Sequence, residues 1–477
     1  MIPDSGMFRK TKIVCTIGPA CGSIEMLKKL AIAGMNVARL NFSHGTREEH
    51  AARIELIRQV SSQLDLPLAI LQDLPGAKVR IGKLREEFVT LEKGNDFILT
   101  SKTILGDAYI ASVSLPSLPR YVNQGDTIFL SDGTIKLEVV GITNTEIKCR
   151  VVTGGVLTSK RGINVPGAGF GVSSTDNDLG DLLFGIEHGV DFVALSFVKE
   201  KSDVLRIKQF LQARGANIPL IAKIESHEAV DHFDEILAEA DGIMVARGDL
   251  GVEIPVSRVP LVQKEIISKC NQSGKPVIVA TQMLISMVYS PFPTRAEVSD
   301  IANAILDGTD AVMLSEETAI GKYPEEAVVT MAQIAIETEK ALPFQRILSE
   351  NKEKFTSQTD DAISYAACQV AHQLGAVGII AYTTSGSTAQ RVSKYRPKVP
   401  ILAITPSDDV RRKLCLFWGV YSYRVIGYTK VEEIFEQGAR LAVKSGLAKS
   451  GDLLVVTAGV PFGMAGTTNM LKVQKVD

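Results

Sequence analysis

The sequence predicts an α/β protein, a (β/α)8 barrel interrupted by an all-β insertion and followed by a separate α/β segment. Three observations predict it. First, from residue 11 onward eight short β-branched runs alternate with helical stretches, at 12–17, 37–43, 68–74, 192–198, 219–225, 242–249, 276–283 and 311–319. That alternation is the pattern of βα units building a parallel sheet, and eight of them suit a closed barrel. Second, residues 79–159 carry a different pattern, alternating and turn-rich, as in VTLEKGNDFILT and DTIFLSDGTIKLEVVGI. Third, a new strand series (VGIIAYT, VPILAIT, VYSYRVI, DLLVVTAG, NMLKVQKV) follows residue 343. The expected division is a barrel of 1–78 with 160–343, a lid of 79–159, and a C-terminal α/β domain of 344–477. A length of 477 residues exceeds what one compact core accommodates, which agrees.

Within the insertion, Asp132-Gly133 between two alternating runs predicts a hairpin closed by a type I′ turn, whose central residues need positive φ. An insertion after the third barrel strand opens at the carboxyl mouth, where barrel active sites form, and is placed to act as a lid.

Bulk composition narrows the function. With 45% hydrophobic and 22% charged residues and a net charge of −2, no charge excess recruits nucleic acid or a membrane surface, so the substrate is expected to be small. The six cysteines stand singly, without a CxxC pair, which suggests neither a disulfide framework nor zinc and fits a reducing compartment. The first residues lack an apolar leader core and no later run is long enough to span a bilayer, so a cytoplasmic location is expected.

Polar residues at strand ends line a barrel's mouth, and here they are numerous. Run two ends in Arg39, Asn41, Ser43 and His44; run three holds Asp73; run four holds Ser196; run five ends in Lys223 and Glu225. Run six carries Arg247 and Asp249, run seven Thr281 and Gln282, run eight Ser315 and Glu316. Lys223 and Glu225, two apart, leave one face of their strand. Glu225 and Asp249, on adjacent strands, form a hard oxygen site suited to Mg²⁺ or Mn²⁺. A lysine and an arginine beside such a metal favour an anionic substrate, and phosphoryl transfer is the reaction that most needs this set. Taken singly, each of these residues has an ordinary reading as half of a structural ion pair; the joint pattern carries the argument.

Other features read more simply. His44 is open to two readings, a ligand contact or a turn residue capping a helix. His227 and His232, five apart, read as a solvated helix face rather than a metal site, and Met283 and Met287 as core filling. No Walker A loop or GxGxxG occurs, and the run 167–171 lacks the third glycine spacing, so a nucleotide must be gripped by mouth and lid, with Arg80, Lys160 and Arg161 at the lid hinges as candidates.

These segments together resemble the pyruvate kinases. TKIVCTIGPA (11–20), VARLNFSHG (37–45), ALSFV (194–198), IAKIES (221–226), MVARGDLGVE (244–253), ATQML (280–284), TRAEVSDIANAILDGTDAVMLSEETAIGKYP (294–324) and SKYRP (393–397) occur in the family's order over essentially the whole chain. The resemblance implies transfer of the phosphoryl group of phosphoenolpyruvate to ADP in glycolysis. It implies that Lys223 stabilises the phosphoryl group in transit, that Glu225 and Asp249 hold Mg²⁺ or Mn²⁺, and that Arg39 holds the substrate phosphate. Gly248, Asp249 and Thr281 would take the carboxylate, with Thr281 near the proton's path to the enolate carbon; Asn41, Ser43, His44, Arg80 and Arg161 would face ADP.

One departure is informative. Potassium-dependent members typically read DTKGPEIRT where this chain reads DLPGAKVRI (73–81). Leu74 replaces a hydroxyl ligand and Lys78 replaces the glutamate, so the resemblance implies an enzyme that does not require K⁺, with Asn41, Ser43, Asp73 and Leu74 as a vestigial cation position served by the Lys78 ammonium. Ala77 and Ile81 depart from the family too. In the last segment Thr383, Thr384, Ser385, Gly386, Ser387 and Thr388 lie between a strand and a helix start. There hydroxyls and free N–H groups either cap the helix or bind an anion, and the matching family loop receives an effector's phosphate, implying a sugar-phosphate or nucleotide effector. The family also implies a homotetramer, and the additional C-terminal domain of some bacterial members is expected to be absent. Another Mg²⁺–enolate barrel enzyme leaves the lid and last domain unexplained, and a catalytically silent regulator would have lost Lys223, Glu225 or Asp249.

Overall fold

Eight parallel strands close into a barrel: β1 (Lys12–Thr16), β2 (Val37–Asn41), β3 (Ala69–Asp73), β4 (Phe192–Leu195), β5 (Leu220–Ile224), β6 (Gly242–Ala246), β7 (Val277–Ala280) and β8 (Ala311–Leu314). The computed structural model describes residues 8–76, 78–131, 133–167, 176–350, 358–425, 431–460 and 468–477. Each strand pairs with its sequence neighbours, and β1 pairs with β8 to complete the ring. All eight fall on predicted runs but stop earlier. Residues 247–253 are helix rather than strand, and Glu225 is the first residue beyond β5, because the chain must turn outward once its ladder partners end.

The two-residue period of a strand sorts the core into two layers. Val14, Val37, Leu71, Phe192, Ile221, Met244 and Ile278 fill the barrel interior, while Ile13, Cys15, Leu40, Ile70, Val193, Ile243 and Val279 point outward under the helices. The interior layer is closed from below by Cys415 and Leu416 of the C-terminal domain. Met283 and Met287 are fully buried in the outer layer, and all six cysteines are buried and free.

Between β3 and β4 the chain forms a six-stranded sheet and a two-stranded one over a core that includes Phe97, Leu99, Ile128, Leu137 and Ile147. The sheet takes in Ile163–Asn164, whose Asn164 pairs with Phe129. The hairpin between Thr127–Leu130 and Ile135–Ile142 is present, but the register Leu130↔Ile135 leaves four residues between the strands rather than two. Asp132 itself, and Ala77, lie outside the described residues. Gly133, at φ +88°, lies against Val252 of the helix after β6, which brings the inserted sheet next to the carboxyl mouth.

The C-terminal sheet runs in the order β11 (Val420–Arg424), β10 (Ile401–Thr405), β9 (Gly378–Tyr382), β12 (Leu453–Gly459), β13 (Thr468–Lys475), with only the last strand antiparallel. It docks on the barrel's amino-terminal face through buried and half-buried polar contacts. Arg396 meets Asp310 at 2.8 Å, Arg412 meets Asp191 at 2.7 Å, and Lys12 Nζ donates to the Val420 carbonyl at 2.5 Å. Among the described residues no helix is long and apolar enough to cross a membrane.

Candidate active site

At the carboxyl mouth, buried charges of both signs converge. Lys223, the penultimate residue of β5, sends Nζ to Ser196 Oγ at 2.7 Å, Glu225 Oε1 at 3.0 Å and Asp73 Oδ1 at 3.2 Å. Asp73, at the end of β3, also accepts from Arg39 Nε at 2.7 Å, and Arg39 Nη1 donates to Thr16 Oγ1 at 2.9 Å. Strand register explains the meeting: Arg39 sits beside Thr16 and Leu71, and Asp73 beside Asn41 and Ala194, so consecutive strands deliver their last residues to one level.

The electrostatics follow from burial weighed against pairing. Burial works to strip the proton from Lys223, but Asp73 and Glu225 outweigh it and hold its pKa above the ordinary lysine value. Burial would lift Asp73, yet Lys223 and Arg39 pull its carboxyl below the usual range. Glu225 goes the other way: burial raises it, Lys223 opposes, and the negative charge of Asp249 adds to the rise. A buried carboxylate whose proton affinity is raised with help from a second carboxylate, without a thiolate beside them, belongs to a donor set that a hard divalent cation relieves. The residues present therefore fit Mg²⁺ or Mn²⁺.

Asp249 lies not on a strand but in the helix Arg247–Glu253, and its Oδ1 receives Lys78 Nζ at 2.6 Å. Lys78 passes over Gly162, where a Cβ would stand 2.4 Å from the lysine Cε, so the absent side chain makes room for it. Gly248 N donates to Thr281 Oγ1 at 2.9 Å, and Thr281 Oγ1 donates to the Ala280 carbonyl at 2.6 Å. Phe197 (φ +55°), Thr281 (+71°) and Gln282 (+57°) hold left-handed backbone just beyond strand ends. Such conformations cost about 1–3 kcal/mol each and persist where surroundings enforce them, typically at functional sites. At Phe197 the enforcement is visible, since its N–H donates to Glu225 Oε2 at 2.7 Å.

A second cluster lies toward the lid. His44 has its pKa lowered by burial and by Arg80, Arg39 and Arg161, which marks an electropositive corner. The helix that follows is capped by Thr46 and Glu49, not by His44, which sets aside the capping reading. Asn41 Oδ1 accepts from Ser43 N–H at 3.1 Å, and Leu74 is buried with its carbonyl accepting from Ser196 Oγ. The segments leading into and out of the insertion meet at Arg80 and Arg161, where Arg80 bridges to Gly162 and Ile81 N–H donates to the Arg161 carbonyl at 2.8 Å, while the Arg161 side chain turns back to Thr158 Oγ1 at 3.0 Å.

The residues 383–388 are far from this mouth, after β9 in the C-terminal sheet. The helix Ser387–Lys394 is capped by Gly386 in left-handed backbone, with no side-chain cap; Thr383 Oγ1 accepts from Gly386 N–H at 2.8 Å and Thr388 bonds Thr468 at 2.7 Å. Ser385 and Thr384 remain exposed.

Ser196 received no role from the sequence, although it contacts Lys223 directly; only a fold places a serine after β4 against a lysine from β5. Arg247, by contrast, is a strut: it pairs with Asp300 at 2.7 Å and donates to the carbonyls of Ala280 and Thr281, fixing the strained loop after β7.

The family model described as pyruvate kinase, barrel domain, matches residues 8–328, and that of the pyruvate kinase alpha/beta domain matches 361–474. The chain belongs to the pyruvate kinase family. It is 50% identical over 474 residues to the pyruvate kinase of Geobacillus stearothermophilus, covering 98% of this chain and 81% of that relative. It is 47% identical over 471 residues to pyruvate kinase of Staphylococcus aureus, covering 98% and 80%. The crystal structure of a pyruvate kinase from Cryptosporidium parvum aligns with a TM-score of 0.93 at 36% identity, over 100% of this chain and 98% of that one. As a family member the chain is a phosphotransferase whose substrates are phosphoenolpyruvate and ADP.

Proposed function

We propose that Arg39, Lys223 and Thr281 carry the reaction at the barrel mouth, with Mg²⁺ or Mn²⁺ on Glu225 and Asp249 and without a need for K⁺. The observation that supports this best is the buried, fully charged Lys223 held among Asp73, Ser196 and Glu225. Its ammonium and the Arg39 guanidinium are preorganised positive charge in a site shielded from water, where such charge acts most strongly on a transferring phosphoryl group. Arg39 holds the substrate phosphate, and Gly248, Asp249 and Thr281 hold the carboxylate. Thr281, its hydroxyl fixed between Gly248 N and the Ala280 carbonyl, is placed to relay a proton to the enolate carbon. The metal, when bound, supplies Lewis-acid stabilisation of enolate and phosphoryl oxygens. Asn41, Ser43, His44, Arg80 and Arg161 receive ADP, a reading supported by the three arginines that, after burial, depress the His44 pKa.

K⁺ independence rests on Lys78, whose ammonium enters the pocket at Asp249 while the monovalent-cation position of Asn41, Ser43, Asp73 and Leu74 carries an aliphatic side chain at Leu74. The segment 79–159 serves as lid and 344–477 as regulatory domain. Thr383 to Thr388 bind the phosphate of a sugar-phosphate or nucleotide effector. The loop follows β9, whose neighbours β10 and β12 continue in opposite directions, and such switch points are where open α/β sheets bind ligands. Exposed Tyr289, Phe292, Val256 and Leu261 on the barrel support a homotetrameric assembly, and the buried free cysteines support a cytoplasmic location.

A coupled pyruvate-formation assay tests the reading, with phosphoenolpyruvate, ADP and Mg²⁺, with and without K⁺, on the wild type and on Lys78→Glu. Wild-type turnover should be indifferent to K⁺, and the variant should become K⁺-activated by roughly tenfold or more. Strong K⁺ activation of the wild type would overturn the role of Lys78.

A further inference from the structure

Where the lid strand returns to the barrel, one imidazole and two carboxylates converge outside the site described above. His227 and Glu228 open the short helix after β5, and Glu253 closes the helix after β6. Their ligand atoms all lie within 4.8 Å of one another, with His227 Nδ1 3.2 Å from Glu228 Oε2 and 3.9 Å from Glu253 Oε2. A first-row cation holding nitrogen and oxygen at roughly 2.0–2.2 Å sets neighbouring donors roughly 3.0–3.4 Å apart, so only small side-chain adjustments separate this cluster from a coordination shell. His232 takes no part, since its Nδ1 faces the Lys199 carbonyl at 3.2 Å.

Asn164 supplies an independent sign. It is 5% exposed, its Nδ2 donates weakly to Glu253 Oε1 at 3.4 Å, and its Oδ1 is buried without a hydrogen-bond partner. An unpaired buried carbonyl of this kind costs about 1–3 kcal/mol. Half a turn of the carboxamide offers that oxygen to a cation seated on Glu253. Glu253 is also short of positive charge: burial raises its pKa and Glu228 adds to the rise, although Asn164, His227 and Lys199 oppose it, whereas Glu228 itself is held below the ordinary value against its burial, by its own backbone N–H, Lys199, His227 and Ser226. Lys199 Nζ stands 3.4 Å from Glu228 and offsets one of the two.

We propose that His227, Glu228, Glu253 and the Asn164 carboxamide oxygen form a site for a divalent transition cation, distinct from the magnesium position of Glu225 and Asp249. One imidazole among oxygen donors favours Zn²⁺ or Mn²⁺ over Mg²⁺. The site spans two bodies. Asn164 belongs to the lid sheet through its pairing with Phe129, and the other three ride on barrel loops, so a bound ion ties the lid's return strand to the barrel at its hinge.

Equilibrium dialysis of the full-length protein against Zn²⁺ in excess Mg²⁺ tests this directly. The wild type and a Glu225→Gln/Asp249→Asn double variant should each hold one Zn²⁺ that His227→Ala and Glu253→Gln lose, and Asn164→Leu should weaken it by about tenfold or more. Zn²⁺ should raise the Tm of the wild type but not of His227→Ala, with circular dichroism reporting that the variant is folded; should it not fold, Asn164→Leu and Glu253→Gln decide in its place. No Zn²⁺ on the wild type, Zn²⁺ retained by His227→Ala or Glu253→Gln at wild-type affinity, or Zn²⁺ lost only on replacing Glu225 and Asp249, would each overturn the proposal.

Discussion

Two buried lysines mark opposite ends of the same barrel, and they are shifted in opposite directions. Lys223, at the carboxyl mouth, is held charged by Asp73 and Glu225 against the cost of its burial. Lys12, at the amino-terminal end, is also fully buried, but its partners are the Val420 carbonyl and the face of Tyr421, 4.5 Å away. Burial dominates there and brings its pKa down to about 7. Depth in the protein is the same for both; what differs is whether carboxylates pair directly with the ammonium, as Asp73 and Glu225 do, or act only from a distance, as Glu339 and Asp310 do at Lys12. A barrel's mouth collects strand-end carboxylates from several loops around an open pocket, whereas the buried charges of its base, such as Arg396 with Asp310, are spent on pairs that hold the docked domain. Paired, buried charge facing an open pocket is found at the mouth, where the proposed reaction sits.

The largest effect expected from breaking this contrast is at the mouth. Lys223→Met should lower kcat by roughly a hundred- to thousandfold in the pyruvate-formation assay. It should also destabilise the protein by about 3–5 kcal/mol in urea unfolding, because Asp73 and Glu225 remain buried with less compensation. Asp73→Asn is next. Removing the carboxylate that Lys223 and Arg39 share should reduce kcat/KM by roughly tenfold or more, and a basic limb should move to lower pH in the pH profile as burial gains on the Lys223 ammonium.

At the base, Lys12→Met should leave turnover within about twofold and act on stability instead. The folded pKa of Lys12, about 7, lies below its ordinary value of 10.5. Between these limits the unfolded chain binds more protons, so Lys12 contributes rising stability as pH climbs from about 7, and its full cost is present below that. Unfolding measured across pH 6 to 10 should show the wild type gaining on Lys12→Met by at most roughly 5 kcal/mol. A flat difference would mean that Lys12 is charged in the fold, and the contrast with Lys223 would fail. The smallest change sharpens the packing side of the comparison: Leu416→Ala, in the plug beneath the barrel interior, should cost about 2–5 kcal/mol with wild-type KM.

Much of this organisation was legible in the residues themselves. Eight β-branched runs gave eight barrel strands because a parallel strand covered on both faces must be apolar throughout its length, as VIVA and AVML are. Strand ends were less legible. Run six extends by its pattern to Asp249, but the ladder stops at Ala246, since continuing it needs a neighbour's backbone that the sequence of one strand does not contain.

The division is physical. The sequence by itself determined the periodicities, the order of barrel, insertion and C-terminal sheet, and the identity of the polar residues at strand ends, because these depend on local spacing and side-chain chemistry. Only the tertiary structure decided that Ser196 supports Lys223, that Lys78 reaches Asp249 over Gly162, that Arg247 is a strut, and that His227 lies with Glu253 rather than with His232. Those contacts join residues tens to more than a hundred positions apart. Their energies depend on distances and local dielectric that exist only after the barrel has closed.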